Sequence, residues 1–266
     1  MNRHTIGVDV DDFRLPTKDA LRKAAELSLH AVELATVAGD VMPSSLSSSG
    51  RRHLSRYVDG LGLRMAVLVA DLPGLRLTDS RTVDERVERT CEILELAADL
   101  RVPVVTAAAG ALTHPETGEP SPTGLAALER IGEWADVRGV VYALRPSYDT
   151  SERLVDVLDK LRCPSIRVCL DPAAMVMTGA NPMSVIERFP DQIALMHARD
   201  AAAGLAERAG RETRLGEGEV DLIGILAALS AAEYTGPYIL RRTDSQNPTA
   251  DIENARDVLR RLLPPG

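Results

Sequence analysis

The chain has 266 residues, of which 45% are apolar and 26% charged, a balance typical of a globular protein with a sizeable core. Its net charge is -8, which disfavours nucleic acid as a partner because proteins that bind it usually carry a basic surface. The N-terminal apolar run is too short for a signal peptide, and no stretch approaches the roughly 20 apolar residues of a membrane helix. We therefore expect a cytoplasmic protein without a membrane partner.

Eight short apolar segments alternate with amphipathic segments along the chain. This alternation predicts βα units whose strands form a parallel sheet. Eight such units close more naturally as a barrel, so we predict the α/β class and a single (β/α)8 TIM barrel domain over residues 1–266. The predicted strands are residues 5–10, 31–35, 64–70, 103–109, 140–144, 166–170, 193–197 and 237–241. The predicted helices are residues 17–27, 47–60, 80–100, 122–137, 151–161, 182–188, 222–232 and 250–263.

A doubly wound open sheet is the alternative arrangement of βα units. Nucleotide-binding sheets of that kind usually carry a glycine-rich phosphate loop. The sequence has no GxGxxG motif after its first predicted strand and no GxxxxGKS/T motif anywhere. These absences favour the barrel.

Charged and polar residues stand at the ends of most predicted strands. Barrels of this kind form their active sites at the C-terminal ends of the strands. Charged groups beside apolar strands are costly unless they are paired or solvated, so these residues predict a polar pocket. They are Asp9, Asp11, Glu33, Arg145, Asp171, His197, Arg199, Asp200, Arg241 and Arg242.

Four segments resemble the xylose isomerase-like family of sugar isomerases, epimerases and related enzymes. They are VCLDPAAM at 168–175, IALMHARD at 193–200, RLGEGEVD at 214–221 and GPYIL at 236–240. They occur in the expected order and in the expected βα units, so the resemblance covers nearly the whole chain. The HARD segment followed by LGEGEVD is its most specific part.

The resemblance implies a divalent metal centre, from which this chain departs. Typical family members bind Mn, Mg, Zn or Co with glutamates ending strands five and eight, an aspartate ending strand six and a histidine ending strand seven. Asp171 and His197 match that set, but Arg145 and Arg241 stand where the glutamates would be. An arginine is always protonated and offers no lone pair to a metal. We therefore predict no metal and no other cofactor.

The resemblance, together with the chemistry of the side chains, suggests roles for the site residues. His197 is the candidate acid or base because an imidazole titrates near neutral pH, with Asp171 and Glu33 as further catalytic candidates. Arg145 and Arg241 are candidate clamps for a carboxylate or phosphate, since guanidinium groups favour such contacts. Two more candidate substrate-binding residues are Arg199 and Glu217.

Most of these residues also have a purely structural interpretation, which for Glu33 is a salt bridge in strand two. Arg145 and Arg241 could pair with Asp171, Glu33 or Asp9 in an ion network, because buried charges are usually paired. Arg199 and Asp200 could form a local pair at the end of strand seven. His197 could be a satisfied histidine that remains from an ancestral site.

Three functions stay open at this stage. The first is an isomerase, epimerase or lyase that moves protons on a small anionic sugar or sugar acid without a metal. The second is a non-catalytic relative that binds a ligand or a partner. The third is an ordinary metal-dependent isomerase whose ligands lie elsewhere. Dimers and tetramers are common in the family, so the resemblance leaves a homodimer or homotetramer open.

Overall fold

The computed structural model describes residues 4–114, 116–145, 151–204 and 210–264 of the chain. Eight parallel strands in it close into a barrel, in the order β1, β2, β3, β4, β5, β6, β7, β10 and back to β1. A two-stranded antiparallel hairpin, β8 with β9, lies outside the barrel. The strands are β1 (Ile6–Asp9), β2 (Ala31–Ala35), β3 (Arg64–Val69), β4 (Val104–Ala108), β5 (Val141–Arg145), β6 (Ile166–Leu170), β7 (Ile193–Ala198), β8 (Asp200–Ala202), β9 (Arg211–Thr213) and β10 (Tyr238–Leu240). The predicted α/β barrel is confirmed.

The helices follow the barrel strands in the predicted rhythm. They are α1 (Thr17–Glu26), α2 (Ser48–Gly60), α3 (Val83–Leu100), α4 (Pro122–Arg138), α5 (Ser151–Leu161), α6 (Pro172–Met177), α7 (Pro182–Arg188), α8 (Leu222–Ala231) and α9 (Pro248–Leu262). Short 3-10 turns cover Val10–Phe13, Gly39–Val41 and Pro190–Gln192. Among the described helices, none is both long enough and apolar enough to cross a membrane. All eight predicted helices are present.

The barrel strands carry an apolar layer directly beneath a charged one. Residues two positions apart on a strand point to the same side. Ala31 and Glu33 of β2 are such a pair, as are Leu195 and His197 of β7. The apolar layer is one buried cluster of Ala31, Ala66, Val67, Val104, Ala143, Cys169, Leu195 and Ile239. Two positions beyond members of this cluster stand Glu33, Arg145, Asp171, His197 and Arg241.

Some local features differ from the predictions. The fifth strand reaches Arg145, one residue further than predicted, and the last barrel strand stops at Leu240. The hairpin of β8 and β9 was not predicted, because strands of three residues are too short for an alternating pattern. The short helix α6 was also missed. It begins directly after Asp171, whose side chain accepts a hydrogen bond from the backbone N–H of Ala174 and so caps it.

Candidate functional site

His197 is held between two carboxylates, one beside each ring nitrogen. Its Nε2 lies 3.0 Å from Oε2 of Glu33 in β2. Its Nδ1 lies 3.5 Å from Oδ2 of Asp171, which follows β6. All three side chains are buried, with relative exposures of 0%. The fold therefore brings together the three residues that the sequence offers as catalytic candidates.

Asp171 has two further partners. Its Oδ1 accepts from the backbone N–H of Ala174 at 3.0 Å. Its Oδ2 lies 3.2 Å from Nη1 of Arg199, and the Nε of that arginine donates to Glu212 at 3.0 Å. Both oxygens of the Asp171 carboxylate are thus engaged.

Arg241, the residue after β10, faces three carboxylates. Its Nη2 lies 2.7 Å from Oδ2 of Asp9, while its Nη1 lies 3.7 Å from Oε1 of Glu33 and its Nε 3.7 Å from Oδ2 of Asp12. Asp9 and Glu33 are register partners on neighbouring strands, which places both carboxylates within reach of one guanidinium. The structural interpretation of Arg241 as part of an ion network therefore describes its geometry.

Arg145 pairs with Asp71, a residue that the sequence analysis did not select. Nη2 of Arg145 bonds Oδ2 of Asp71, and Oδ1 of Asp71 accepts from the backbone N–H of Ala108 at 2.7 Å. Nη1 of Arg145 is buried and has no hydrogen-bond partner among the described residues. This guanidinium therefore keeps one donor for a further acceptor.

Glu212 in β9 connects the hairpin to the barrel. One of its oxygens accepts from Arg199 at 3.0 Å, and the other lies 3.0 Å from Nη1 of Arg242. The backbone N–H of Asp244 donates to the same second oxygen at 2.7 Å. Arg242 also donates its Nε to Asp251 of α9 at 2.9 Å. A single buried carboxylate thus joins arginines that follow β7 and β10.

Asp200 anchors the loop that carries the LGEGEVD segment. Its Oδ2 accepts from the N–H groups of Gly216 at 2.9 Å and Gly218 at 3.0 Å, and its Oδ1 accepts from Val220 at 3.1 Å. A Cβ at Gly218 would lie 2.2 Å from Oδ1 of Asp200, so only glycine fits there. Glu217 is exposed on this loop, and its side chain forms no hydrogen bond or ion pair with the residues that the structure describes.

The expected local pair of Arg199 with Asp200 does not form. Arg199 bonds Asp171 and Glu212, whereas Asp200 accepts from backbone N–H groups. Successive side chains of an extended chain point to opposite sides, which separates the two charges. That interpretation was therefore wrong. Arg199 instead belongs to the charged cluster at the C-terminal ends of the barrel strands, which we call the mouth of the barrel.

Glu33, His197 and Asp171 form a central row of charged groups, and the electrostatics of this row keep His197 protonated. Burial favours the neutral imidazole, but Cys169, Glu33 and Asp171 around the ring outweigh it and raise the pKa of His197 well above 6.5. Burial likewise opposes ionisation of Glu33, but the charge of His197 and its hydrogen bond lower the pKa of Glu33 to about 2. The pKa of Asp171 also lies below its ordinary range, because Arg199 and His197 outweigh its burial. At neutral pH the row is carboxylate, imidazolium, carboxylate.

Asp9 behaves in the opposite way. Complete burial raises its pKa to about 8, with Glu33 and Asp12 adding to the effect and Arg241 opposing it. It is thus a carboxyl group at the mouth whose proton affinity is matched to neutral pH. A group of this kind suits proton transfer better than Glu33, which ionises far below neutrality.

The positive charge at the mouth is compensated locally. Each of the four arginines has at least one carboxylate partner among the described residues, and their side chains are only 13–14% exposed. The cations are Arg145, His197, Arg199, Arg241 and Arg242. The carboxylates are Asp9, Asp12, Glu33, Asp71, Asp171, Glu212 and Asp251. Carboxyl groups outnumber cations even though Asp9, with its pKa raised to about 8, is largely protonated at neutral pH. The site is therefore an ion network and not an open cationic patch.

Sequence reasoning missed Asp71, Asp12, Glu212 and Asp251 as members of this network. Asp71 directly follows the third predicted strand, so the strand-end criterion that selected Asp171 was sufficient to find it. Asp12 lies in a 3-10 turn and is buried, which no sequence pattern indicates. Glu212 reaches the mouth through the unpredicted hairpin.

A match to a family model places the chain among known proteins. The model described as the xylose isomerase-like TIM barrel matches residues 21–262. The chain belongs to this family. The family resemblance inferred from four sequence segments is thereby confirmed. No curated protein shows a significant match to the chain.

Solved structures of family relatives share the fold over almost their whole length. A xylose isomerase domain protein from Planctomyces limnophilus has 21% identity and a TM-score of 0.83, with 97% of each chain covered. A D-tagatose 3-epimerase-like protein has 19% identity and a TM-score of 0.79, covering 97% of this chain and 96% of its own. D-psicose 3-epimerase from Clostridium cellulolyticum H10, solved with D-tagatose, has 15% identity and a TM-score of 0.77, covering 97% and 99%. At these identities the likeness establishes the fold.

The residues at the family's expected metal centre do not suit a divalent ion. Guanidinium groups of Arg145 and Arg241 occupy two of the four positions and cannot ligate. At the other two positions, both carboxylate oxygens of Asp171 are engaged by hydrogen bonds, and Nε2 of His197 lies 3.0 Å from Glu33. In the part of the chain that the structure describes, no group of three or more His, Cys, Asp or Glu side chains is arranged to hold a metal ion. That no metal binds remains a prediction.

Proposed function

We propose that the chain is an isomerase- or epimerase-like enzyme that acts on a small anionic sugar or sugar acid by proton transfer, without a divalent metal. The observation that supports this best is the arrangement around Glu33. His197 and Arg241 approach its two oxygens from different strands. Arg145 adds a further positive charge to the same centre. Relatives of the same fold include a D-tagatose 3-epimerase-like protein and a D-psicose 3-epimerase.

In the proposed reaction, two groups exchange protons with the substrate. Asp9 accepts the proton from the carbon next to the carbonyl group, and His197 donates a proton to the carbonyl oxygen, which gives an enediol. In the isomerisation, the former carbonyl carbon takes up a proton while the other enediol hydroxyl loses its proton and becomes the new carbonyl group. In the epimerisation, a proton returns to the other face of the original carbon, and the O–H proton passes back to His197 to restore the carbonyl group. Arg145 and Arg241 stabilise the negative charge that develops on the oxygen.

The burial of His197 sets a condition on this reaction. Its side chain and that of Glu33 are 0% exposed, so a substrate reaches them only when the side chains that cover them rearrange. The substrate's own charge would then replace a carboxylate partner of an arginine. Nη1 of Arg145, which has no described partner, is the first donor available to it.

Solvent proton exchange tests the proposed function directly. We would incubate the protein in D2O with ketose phosphates and keto sugar acids of three to six carbons, with EDTA present, and follow deuterium incorporation by NMR. Incorporation next to the carbonyl is expected in the wild type and is lost in His197→Gln, which keeps a donor to Glu33 but cannot titrate. The matched control His53→Ala changes an exposed histidine on α2 and should behave as the wild type. Exchange that survives in His197→Gln would overturn the proposal.

One observation favours a second function, that of a non-catalytic binding relative. The central row is fully buried and every arginine at the mouth is already paired, as expected of an ion network whose role is structural. In that case compounds from the same panel would raise the melting temperature without any deuterium incorporation. The third function, a metal-dependent enzyme, needs ligands that the described residues at this centre do not supply.

A further inference from the structure

A cavity of about 570 Å³ opens beside the ion network, between the segments that follow β3 and β4. Its volume lies within the range of roughly 300–1,000 Å³ that is usual for small-molecule sites. Most of its walls are apolar, and Leu72, Leu75, Leu77, Ala109 and Ala111 are among the side chains that form them. An unsubstituted sugar, with a hydroxyl on nearly every carbon, is poorly matched to such walls.

The cavity also contains a buried cation. Arg86 of α3 lines it and is only 3% exposed. Its Nη1 donates to the backbone oxygen of Leu72 and its Nη2 to the hydroxyl of Tyr142, both at 3.3 Å, whereas its Nε has no hydrogen-bond partner. It forms no ion pair with any carboxylate in the described ranges. A buried charge without a counter-charge is costly, so this position favours an anionic group in the cavity.

The cavity and the ion network share a wall. Asp71 lines the cavity, and the same carboxylate pairs with Arg145 at the end of β5. Ala108, whose N–H bonds Asp71, also lines the cavity. A molecule in the cavity therefore lies next to the group that controls the Arg145 guanidinium.

We propose that this cavity binds the part of the substrate that carries an apolar group and a carboxylate. The substrate class is then a hydroxy or keto acid with an aliphatic or aromatic substituent. The apolar substituent packs against Leu72, Leu75 and Leu77, and the carboxylate compensates Arg86. The hydroxyl or keto carbon extends past Asp71 toward Arg145. This assignment rests on the proposed function for its chemistry at the mouth, but the binding itself does not require turnover.

Thermal-shift titrations with three simple probes test this assignment. Lactate and 3-phenyllactate share a hydroxy acid group and differ by a phenyl ring, and 2-phenylethanol keeps the ring without the acid. Burial of the ring should lower the half-saturating concentration of 3-phenyllactate roughly tenfold or more below that of lactate. 2-Phenylethanol should bind roughly tenfold or more weakly than 3-phenyllactate, since it lacks the charge that faces Arg86.

Four variants locate the response. Ala111→Trp fills the cavity from its exposed rim and should abolish the preference for 3-phenyllactate, whereas Ala231→Trp, at an exposed site on α8, should keep it. Arg86→Leu should weaken 3-phenyllactate binding to the level of 2-phenylethanol, and Arg86→Lys should retain the difference. If Arg86→Leu does not fold, the Ala111→Trp variant and the neutral probe still decide.

Two results would overturn the inference. One is equal binding of lactate and 3-phenyllactate to the wild type, and the other is an unchanged preference in Ala111→Trp. Failure of the proposed function is seen separately, as absent deuterium exchange in a protein that binds 3-phenyllactate normally. A protein that does not bind 3-phenyllactate but still exchanges deuterium into unsubstituted sugar acids would reject the cavity assignment and leave the proposed function standing.

Discussion

Nε2 of His197 lies 3.0 Å from Oε2 of Glu33, and neither side chain is exposed to solvent. On its other side the same ring faces Asp171 at 3.5 Å. The three groups come from three different βα units, so their contact depends on closure of the whole barrel. A cation at the centre of this row is what allows two carboxylates to remain ionised in the interior.

Replacement of His197 should therefore lower the equilibrium stability of the folded protein. We expect His197→Ala to lower the free energy of unfolding at pH 7 by about 3–5 kcal/mol, because it leaves Glu33 without its closest cationic partner. His197→Gln should cost less, since its amide can donate to the same carboxylate. Urea unfolding followed by circular dichroism measures both, with the exposed His53→Ala as control. A loss in His197→Ala no larger than in the control would contradict the role of the row.

The raised pKa of Asp9 predicts a specific pH dependence. A carboxyl whose pKa rises from 3.8 to about 8 on folding contributes stability that is complete below 3.8 and is lost as the pH rises toward 8. Glu33, with its pKa lowered to about 2, contributes stability that is lost only as the pH falls below 4.5. His197, with a raised pKa, begins to lose its contribution only above 6.5. Asp9 therefore dominates over these two groups between about pH 5 and pH 6.5.

The variant Asp9→Asn tests this dependence because an amide resembles the protonated acid. Across that window the free energy of unfolding of the wild type should fall with rising pH by about 1 kcal/mol per pH unit more than that of the variant. Denaturant unfolding at four or five pH values gives both slopes. Parallel curves would show that the pKa of Asp9 is not raised in the folded protein and would remove the reason for preferring it to Glu33 as the proton acceptor.

Release of Arg145 should create an anion site at the mouth. Asp71→Asn removes the carboxylate partner of Arg145 but keeps an oxygen for the N–H of Ala108. We expect the variant to gain phosphate-dependent stabilisation, which amounts to about 1.4 kcal/mol at a phosphate concentration ten times the dissociation constant. Thermal unfolding with and without inorganic phosphate measures it. Asp79→Asn, which frees Arg81 at the surface, is the matched control and should show no such gain.

Reversal of two arginines should restore a metal centre. The double variant Arg145→Glu with Arg241→Glu has four potential ligands at the strand ends. They are the two introduced glutamates together with Asp171 and His197. We expect this variant to bind Mn, Co or Zn at roughly one ion per chain, while the wild type does not. Elemental analysis of protein incubated with each metal and then desalted provides the measurement.

The matched control for the metal experiment reverses two exposed arginines, Arg64→Glu and Arg81→Glu, so that the net charge changes equally. Metal in the control at the same level would indicate non-specific binding. Stoichiometric metal in the wild type, purified without chelator, would show that the chain is metal-dependent after all.

The sequence was sufficient for the barrel and for most members of the site, and the reason is periodicity. Strand ends such as Asp171 and His197 follow apolar runs directly, and the C-terminal ends of parallel strands meet in one place. It was harder to predict which charged residues form ion pairs with each other. Arg145 was expected to bind a substrate anion or to pair with known strand-end carboxylates, but its partner is Asp71, because β3, β4 and β5 are neighbours in the barrel and Asp71 stands just past the end of β3. Arg199 bonds Asp171 and Glu212, which depends on a hairpin with no sequence signal.

Glu212 gives that hairpin an influence out of proportion to its size. The single carboxylate balances Arg199 and Arg242, which belong to different strands of the barrel, from a segment of three residues that lies outside it. A displacement of a few ångströms would leave both guanidiniums without their shared counter-ion. The electrostatic potential at the barrel entrance therefore depends on the position of a peripheral element, whatever molecule the entrance admits.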